Sequence, residues 1–522
     1  MKLDWLDITT LVVYLGGMAL MGVYFARKNK NTEEYFVGGR SFKGWVIGLS
    51  LVGTSISSVT FLAFPADAFK TSWVRFPINF ALLACVFVAA YVFLPFFRRG
   101  KITSAYQYLE GRFGPSIRVY ASSAFIVGQL VRVSLILYIL SLVVHEITQF
   151  DPTLCILIGG GFVALYTILG GIDAVIWTDV IQTIVLVLGG AVALAIIVYK
   201  LPGGLEQILS VASENGKFSF GDVVDGKLEP ARWGFSLKHK TVLMIFLAGC
   251  TVWLYEYSGN QNVIQRYCAS KSAHEARKAI FVCAFSSVPI WAFFMFLGTS
   301  LYVFFKVFPT PETTEILAGT RKAEQVLPFF IIHYMPPGCT GLVIAAALAA
   351  AMSSLDSSIN AISAVGVVDI YQRHLVKGRD DKHYLWIARL LACVAAAIMI
   401  GGAVILANSD SKTLQDTGTI LASLVAGGVL GTYLLGFLTD KGDARAVWIG
   451  IILTILFTGW TVLSDKGLLP ETLSVPFDLY YTGLIGNILM FAIGFLAGTL
   501  LPARKRDLTN LTVWHQDGTP LD

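Results

Sequence analysis

Arg132 stands near the middle of a strongly apolar stretch, residues 123–144, where a permanent charge is out of place. A charge at that depth costs about 2.5–3.5 kcal/mol on insertion scales and is kept where it meets water, a partner or a substrate. A guanidinium presents a planar fork that matches a carboxylate. Arg132 therefore points either to an anion on the path or to a structural pair with Glu256 or Asp356. Oxygen-rich runs mark a second chemistry. Residues 351–360 carry Ser353, Ser354, Asp356, Ser357 and Ser358, and residues 49–60 are dense in hydroxyls and glycine. Positions i, i+3 and i+4 share a helix face, so Ser353, Asp356 and Ser357 can converge. Hydroxyl and carboxylate oxygens are what a hard cation binds. Asp179, a turn or so into its helix, reads on its own as a helix-start carboxylate.

Those residues must be held by membrane helices. Of 522 residues, 55% are hydrophobic and 14% charged, against about 25% charged in ordinary globular domains. The net charge of +5 is small, and the basic residues fall in short clusters between apolar runs. That pattern sets topology and argues against nucleic acid binding. The seven cysteines show no CxxC spacing. Cys85, Cys250, Cys283 and Cys393 read as core residues; Cys155 and Cys339 could both face outside and form a disulfide. The seven histidines form no metal-ligand cluster. No phosphate-binding glycine loop and no nucleophile–base pair supports an enzyme.

A crossing helix needs about 20 apolar residues. About thirteen spans satisfy this, near residues 7–26, 44–68, 75–97, 117–145, 152–171, 175–200, 241–263, 276–306, 327–368, 385–407, 414–438, 446–464 and 478–501. The long ninth begins with an outside segment before Pro336-Pro337. The first is not a cleaved signal: Asp4 and Asp7 precede it, and Arg27, Lys28 and Lys30 follow. With the amino terminus outside, every basic cluster lands in the cytoplasm, as does the carboxyl terminus. Setting aside the first span and the last two leaves five spans in 44–200 and five in 241–438. An odd number in each half inverts one half against the other, the arithmetic of an inverted repeat. The chain then divides into an extra helix and loop (1–43), a first repeat (44–200), an outer loop of partly helical composition (201–240), a second repeat (241–438), two further helices (439–506) and a tail (507–522). The first helix of each half is the one expected to be interrupted, near 49–60 and 253–262. A break inside the membrane must line a cavity, because lipid cannot satisfy its freed carbonyls.

Four motifs carry a resemblance: Glu34-Tyr-Phe-Val-Gly-Gly-Arg40; Gly170-Gly171-Ile-Asp-Ala-Val-Ile-Trp-Thr-Asp179-Val-Ile-Gln182; Asn260-Gln261 with Gln265-Arg266; and Ala351-Met-Ser-Ser-Leu-Asp-Ser-Ser-Ile-Asn360. The chain resembles the sodium:solute symporters along nearly its whole length. The resemblance implies an all-α polytopic membrane protein with a LeuT-type core of two inverted five-helix repeats, working as a sodium-coupled importer in the inner (plasma) membrane. It implies a first sodium held by the carbonyls of Gly53, Ile56 and Ala350 and the hydroxyls of Ser353 and Ser354. A second sodium would use Asp179, Ser353 and Ser357, with Asp356 standing where other members carry a hydroxyl or small residue. At the substrate site the chain is most similar to bacterial sialic acid symporters. That implies a carboxylated sugar bound by Arg132, with Ser55, Ser57, Thr60 and Asn79 around it and Thr419 as a further lining residue. A neutral sugar or another small anion is the alternative cargo, and a sodium-responsive sensor or channel the alternative class. No obligatory protein partner is implied beyond the lipid bilayer and a small, anionic substrate.

Overall fold

The computed structural model describes residues 4–57, 59–99, 102–224, 227–408, 427–502, 506–518 and 521. The chain is helical almost throughout. Its long elements are α1 (Trp5–Ala26), α2 (Gly44–Ser55), α3 (Phe64–Lys70), α4 (Phe76–Arg98), α5 (Pro115–Thr148), α6 (Pro152–Lys200), α7 (Val242–Ser258), α8 (Gln261–Ala269), α9 (Ala273–Val307), α10 (Cys339–Val365), α11 (Asp381–Ala407), α12 (Val429–Leu438), α13 (Ala444–Asp465) and α14 (Thr482–Leu500). Leu20, Leu456 and Leu496, on α1, α13 and α14, expose their side chains, as lipid-facing residues do.

Two interruptions coincide with the hydroxyl- and amide-rich runs. The axis bends by 64° between α2 and the segment that leads into α3, and by 48° between α7 and α8. At the first, Ile56 leaves the helix in an extended conformation (φ −99°, ψ 105°). At the second, Asn260 is extended, and its side chain accepts from the Asn262 amide at 3.0 Å, so the new helix starts with a donor satisfied.

The expected spans at 152–171 and 175–200 form the two arms of α6. Gly171 (φ 56°, ψ −154°) separates them, in backbone territory open essentially to glycine alone. The arms fold back on each other. Gln182 Nε2 donates to the Tyr166 hydroxyl at 3.3 Å, although the same separation along a straight helix would be about 24 Å. Asn29 and Tyr35 donate to the freed carbonyls of Gly170 (2.7 Å) and Ile168 (3.1 Å).

The ninth expected span divides as anticipated, into a helix Val326–Tyr334 before the two prolines and α10 after them. The 201–240 loop holds a helix, Gly204–Glu214, and a two-stranded antiparallel hairpin pairing Gly221 with Pro230. Part of the 414–438 span, Thr419 included, lies outside the described residues. All seven cysteines are free, so Cys155 and Cys339 are not bridged. α10 runs through the centre: every residue from 349 to 365 is buried.

Candidate functional site

The serine-rich face of α10 meets the first break on one side and α6 on the other. Gly53 explains how α2 comes so close to α6. A Cβ there would lie 2.8 Å from Thr183 Oγ1 and 3.1 Å from the Asp179 carbonyl oxygen. The break follows three residues later. Ser353 Oγ donates to the Ala350 carbonyl at 3.3 Å. Ser354 Oγ is buried and has no hydrogen-bond partner. A buried hydroxyl oxygen left open, beside carbonyls released by a break, fits a hard oxygen-seeking cation.

One turn further along α10, the oxygens are already taken. Arg266, on α8, is 1% exposed and reaches three other helices as well as its own. It donates to Asp179 Oδ2 (2.6 Å), Ser50 Oγ (2.8 Å), Ser357 Oγ (2.8 Å) and the Asn262 carbonyl (2.6 Å). Ser50 also donates to Asp179 Oδ2 at 2.6 Å. The Asp179 Oδ1 atom is left buried and unpartnered. Asp356 turns away from this cluster. Its Oδ2 accepts from Tyr166 (2.7 Å) and Thr178 (3.2 Å), and its Oδ1 from the Ser357 amide (2.6 Å) and, more loosely, the Ser357 hydroxyl (3.4 Å). The pairing of Asp356 with Arg132 or another base, left open by the sequence, is not formed among the described residues. Two carboxylates and one guanidinium thus lie together in the dry interior.

The substrate candidates occupy the other side of the first break. Ser57 and Thr60 are buried, while Ser55 is half-buried with its hydroxyl 4.0 Å from Cys283 Sγ. Asn79 is buried with its Nδ2 unpartnered. Its helix is fixed to α7 by Trp253 Nε1, which donates to the Ile78 carbonyl at 2.9 Å. Arg132 is exposed in the middle of α5 and makes no ion pair or hydrogen bond among the described residues. The structural pair with Glu256 is therefore absent. Arg75, at the start of α4, pairs with Asp67 at 3.2 Å and is exposed.

At one end of the bundle, the second break and its neighbours are tied together. Gln261 accepts from the Ala105 amide (2.9 Å) and donates to the Thr103 carbonyl (2.7 Å), and Tyr106 donates to the Gly259 carbonyl (3.1 Å). Gln265 bonds Asn360 and the Phe36 carbonyl, each at 2.6 Å. Arg40 reaches the carbonyls of Cys268 and Ile102. The motif residues Arg40, Gln261, Gln265 and Arg266 thus hold helices together.

Comparison with known proteins decides the family. The model of the sodium:solute symporter family matches residues 35–454. The chain belongs to the sodium:solute symporter family. Among its relatives, the sodium/sialic acid symporter SiaT of Proteus mirabilis is 30% identical over 505 residues, covering 97% of each chain. The sodium-coupled monocarboxylate transporter 1 of Homo sapiens is 28% identical, over 86% of this chain and 72% of that one. A solved structure of a sodium-coupled sialic acid symporter, substrate-bound and outward-open, superimposes with a TM-score of 0.85 at 29% identity, covering 96% of this chain and 99% of that one. The nucleobase-cation symporter Mhp1 shares the fold, with a TM-score of 0.51 at 14% identity. This symporter is accordingly a multi-pass membrane carrier of a small solute, coupled to sodium, with the LeuT-type core that the resemblance implies; it is not an enzyme. In the sequence Arg266 stands in a motif and among the basic residues assigned to the cytoplasmic face; the fold buries it instead, as the hub beside Asp179. Helix 261–269 is short and mixed in character, so nothing in the sequence marks that cation as buried. Ser50, Tyr166 and Thr178 carry no mark either.

Proposed function

We propose that this symporter imports a carboxylated sugar, such as sialic acid, across the inner membrane by alternating access. The observation that carries the reading is Arg132: a guanidinium at mid-helix, exposed and unclaimed by any described protein group. Among these helices, a charge so placed serves cargo. Ser55, Ser57, Thr60 and Asn79 supply polar contacts to the rest of the sugar. One sodium sits between the first break and α10, on the carbonyls of Gly53, Ile56 and Ala350 and the hydroxyls of Ser353 and Ser354. It ties α2 to α10 while the outer path is open; inward opening draws the helices apart and releases ion and cargo.

A second sodium at Asp179, Ser353, Asp356 and Ser357 is the finer reading. Arg266 already fills much of that place, so such an ion has to draw the guanidinium aside and take the free Asp179 Oδ1. Energetics favours it for an anionic cargo. A tenfold sodium gradient gives about 1.4 kcal/mol, and about 100 mV adds roughly 2.3 kcal/mol per charge. With one sodium and one anion the voltage contributions cancel; a second sodium raises the drive to about 5 kcal/mol. The amino terminus lies outside, the carboxyl terminus in the cytoplasm, and the two repeats span 44–200 and 241–438.

The test is uptake of radiolabelled sialic acid into proteoliposomes under an inward sodium gradient, with choline replacing sodium as control. Uptake only with sodium is expected. Equal uptake in choline ends the coupling reading, and sodium-driven uptake of neutral sugars alone ends the carboxylate reading.

A further inference from the structure

Arg132 is not the only unclaimed charge at this depth. Glu256 lies on α7, three residues before the second break, and is half-buried. Its carboxylate accepts one hydrogen bond, from Asn260 Nδ2 at 2.8 Å, and makes no ion pair among the described residues. Among the described residues, Asp179 is matched by Arg266, and Asp356 by three hydroxyls and an amide.

The two unclaimed charges share a neighbourhood. The Tyr255 phenol lies within electrostatic reach of both the Arg132 guanidinium and the Glu256 carboxylate. Glu256 is also within reach of Tyr257 and Cys283. The Tyr257 hydroxyl donates to Cys283 Sγ at 3.6 Å, and the Ser55 hydroxyl lies 4.0 Å from the same sulfur. Glu256 therefore stands beside the hydroxyl run of the first break, where Ser55, Ser57 and Thr60 are. Arg132 is exposed and Glu256 half-buried, and neither has an ion-pair partner among the described residues, so a cargo that meets both is favoured over one that meets Arg132 alone.

We propose that Glu256 is the specificity-determining pole opposite Arg132, accepting hydrogen bonds from hydroxyl or amide donors at the end of the substrate remote from its carboxylate. The assignment rests on the carboxylate reading of Arg132 and narrows it. Arg132 alone would accept any monocarboxylate, small keto acids included. Glu256 requires donors at the far end. A bare monocarboxylate leaves Glu256 unanswered, because it brings the same single charge without the donors. A polyhydroxylated acid brings the donors that Glu256 lacks. A site built to bond a donor rejects the analogue without it, because its own polar group then stays unpaired.

The experiment compares wild type with Glu256→Gln and Glu256→Ala in proteoliposomes. It measures KM and kcat for sialic acid, inhibition of that uptake by pyruvate, and sodium-driven pyruvate uptake. Gln keeps an oxygen for Asn260 and the side chain's shape while removing the charge, so it separates recognition from support of the break. Wild type should carry sialic acid and ignore a hundredfold excess of pyruvate. Glu256→Gln should raise KM for sialic acid about tenfold with kcat within a factor of two, as expected when an ionised acceptor is replaced by a neutral one. It should also let pyruvate compete, with the sodium dependence unchanged. If wild type carries sialic acid and Glu256→Gln retains both its KM and its exclusion of pyruvate, the assignment of Glu256 falls while that of Arg132 stands. If no carboxylate is carried, both fall together.

Discussion

Replacing Arg132 with alanine separates binding from folding unusually well. Its guanidinium makes no bond to the described protein, so no partner is orphaned by its loss. Exposed positions of that kind change stability by about 0.5 kcal/mol or less. A carboxylate held by the guanidinium fork loses two charge-assisted hydrogen bonds, each worth about 1.5–3 kcal/mol. The sum, about 3–6 kcal/mol, is a loss of affinity of roughly a hundredfold to ten-thousandfold. Arg132→Lys keeps the charge without the fork and should fall between. The assay is calorimetric titration of sialic acid into detergent-purified protein at saturating sodium, beside a thermal melt with and without sodium. Arg132→Ala should show the affinity loss with an unchanged melt and an unchanged stabilisation by sodium. An affinity within threefold of wild type refutes the anion reading. A matching fall in melting temperature refutes the premise that Arg132 is structurally idle.

Ser354→Ala removes a buried hydroxyl that bonds nothing in the fold, so it should raise the sodium concentration for half-maximal uptake at least fivefold without lowering the melt; an unmoved sodium curve removes Ser354 from the site. Asp179→Asn leaves the Arg266 guanidinium buried without its counter-charge, a cost of about 3–5 kcal/mol. The melt should drop and the sodium curve weaken, and if neither changes the hub has been misjudged. Lys217, in the loop between α6 and α7, donates to the carbonyls of Phe69 and Thr71, each at 2.7 Å, and burial pushes its ammonium down to about 7. The unfolded chain then binds more protons than the folded one from about pH 7 to the lysine's ordinary range, so stability rises across that window and is flat below it. Lys217→Met should lose the rise in melting temperature between pH 7 and pH 9; a variant that keeps the wild-type slope assigns it to another group.

Much of the architecture was legible because membrane insertion writes it in long apolar runs and basic clusters. Even the hairpin inside α6 was marked by its Gly170-Gly171 pair, and both breaks by glycine, hydroxyls and amides. The interior pairings were not legible. Neighbours on a helix point about 100° apart, so Ser357 can face Arg266 while Asp356 turns to Tyr166 and Thr178. Which way α10 is rotated depends on what α6 and α8 bring to it. Arg132 declared itself by being wrong for its helix. Arg266 sits in a short helix of mixed character, where a charge raises no alarm. Glu256 could be named as a partner for Arg132, but whether the two meet is a question of distance alone.

The last described segment of the chain is stitched to the bundle. Tyr108 donates to the Leu511 carbonyl at 2.8 Å, the Val513 amide to Phe437 at 2.9 Å, and Trp514 Nε1 to Leu438 at 2.7 Å. It therefore spans the end of α12 and the short helix, Tyr106–Phe113, that also caps the second break through Tyr106. A protease site built into residues 511–514 becomes a clock: its rate of cutting counts how often that seam comes undone during turnover, with no label near the cargo.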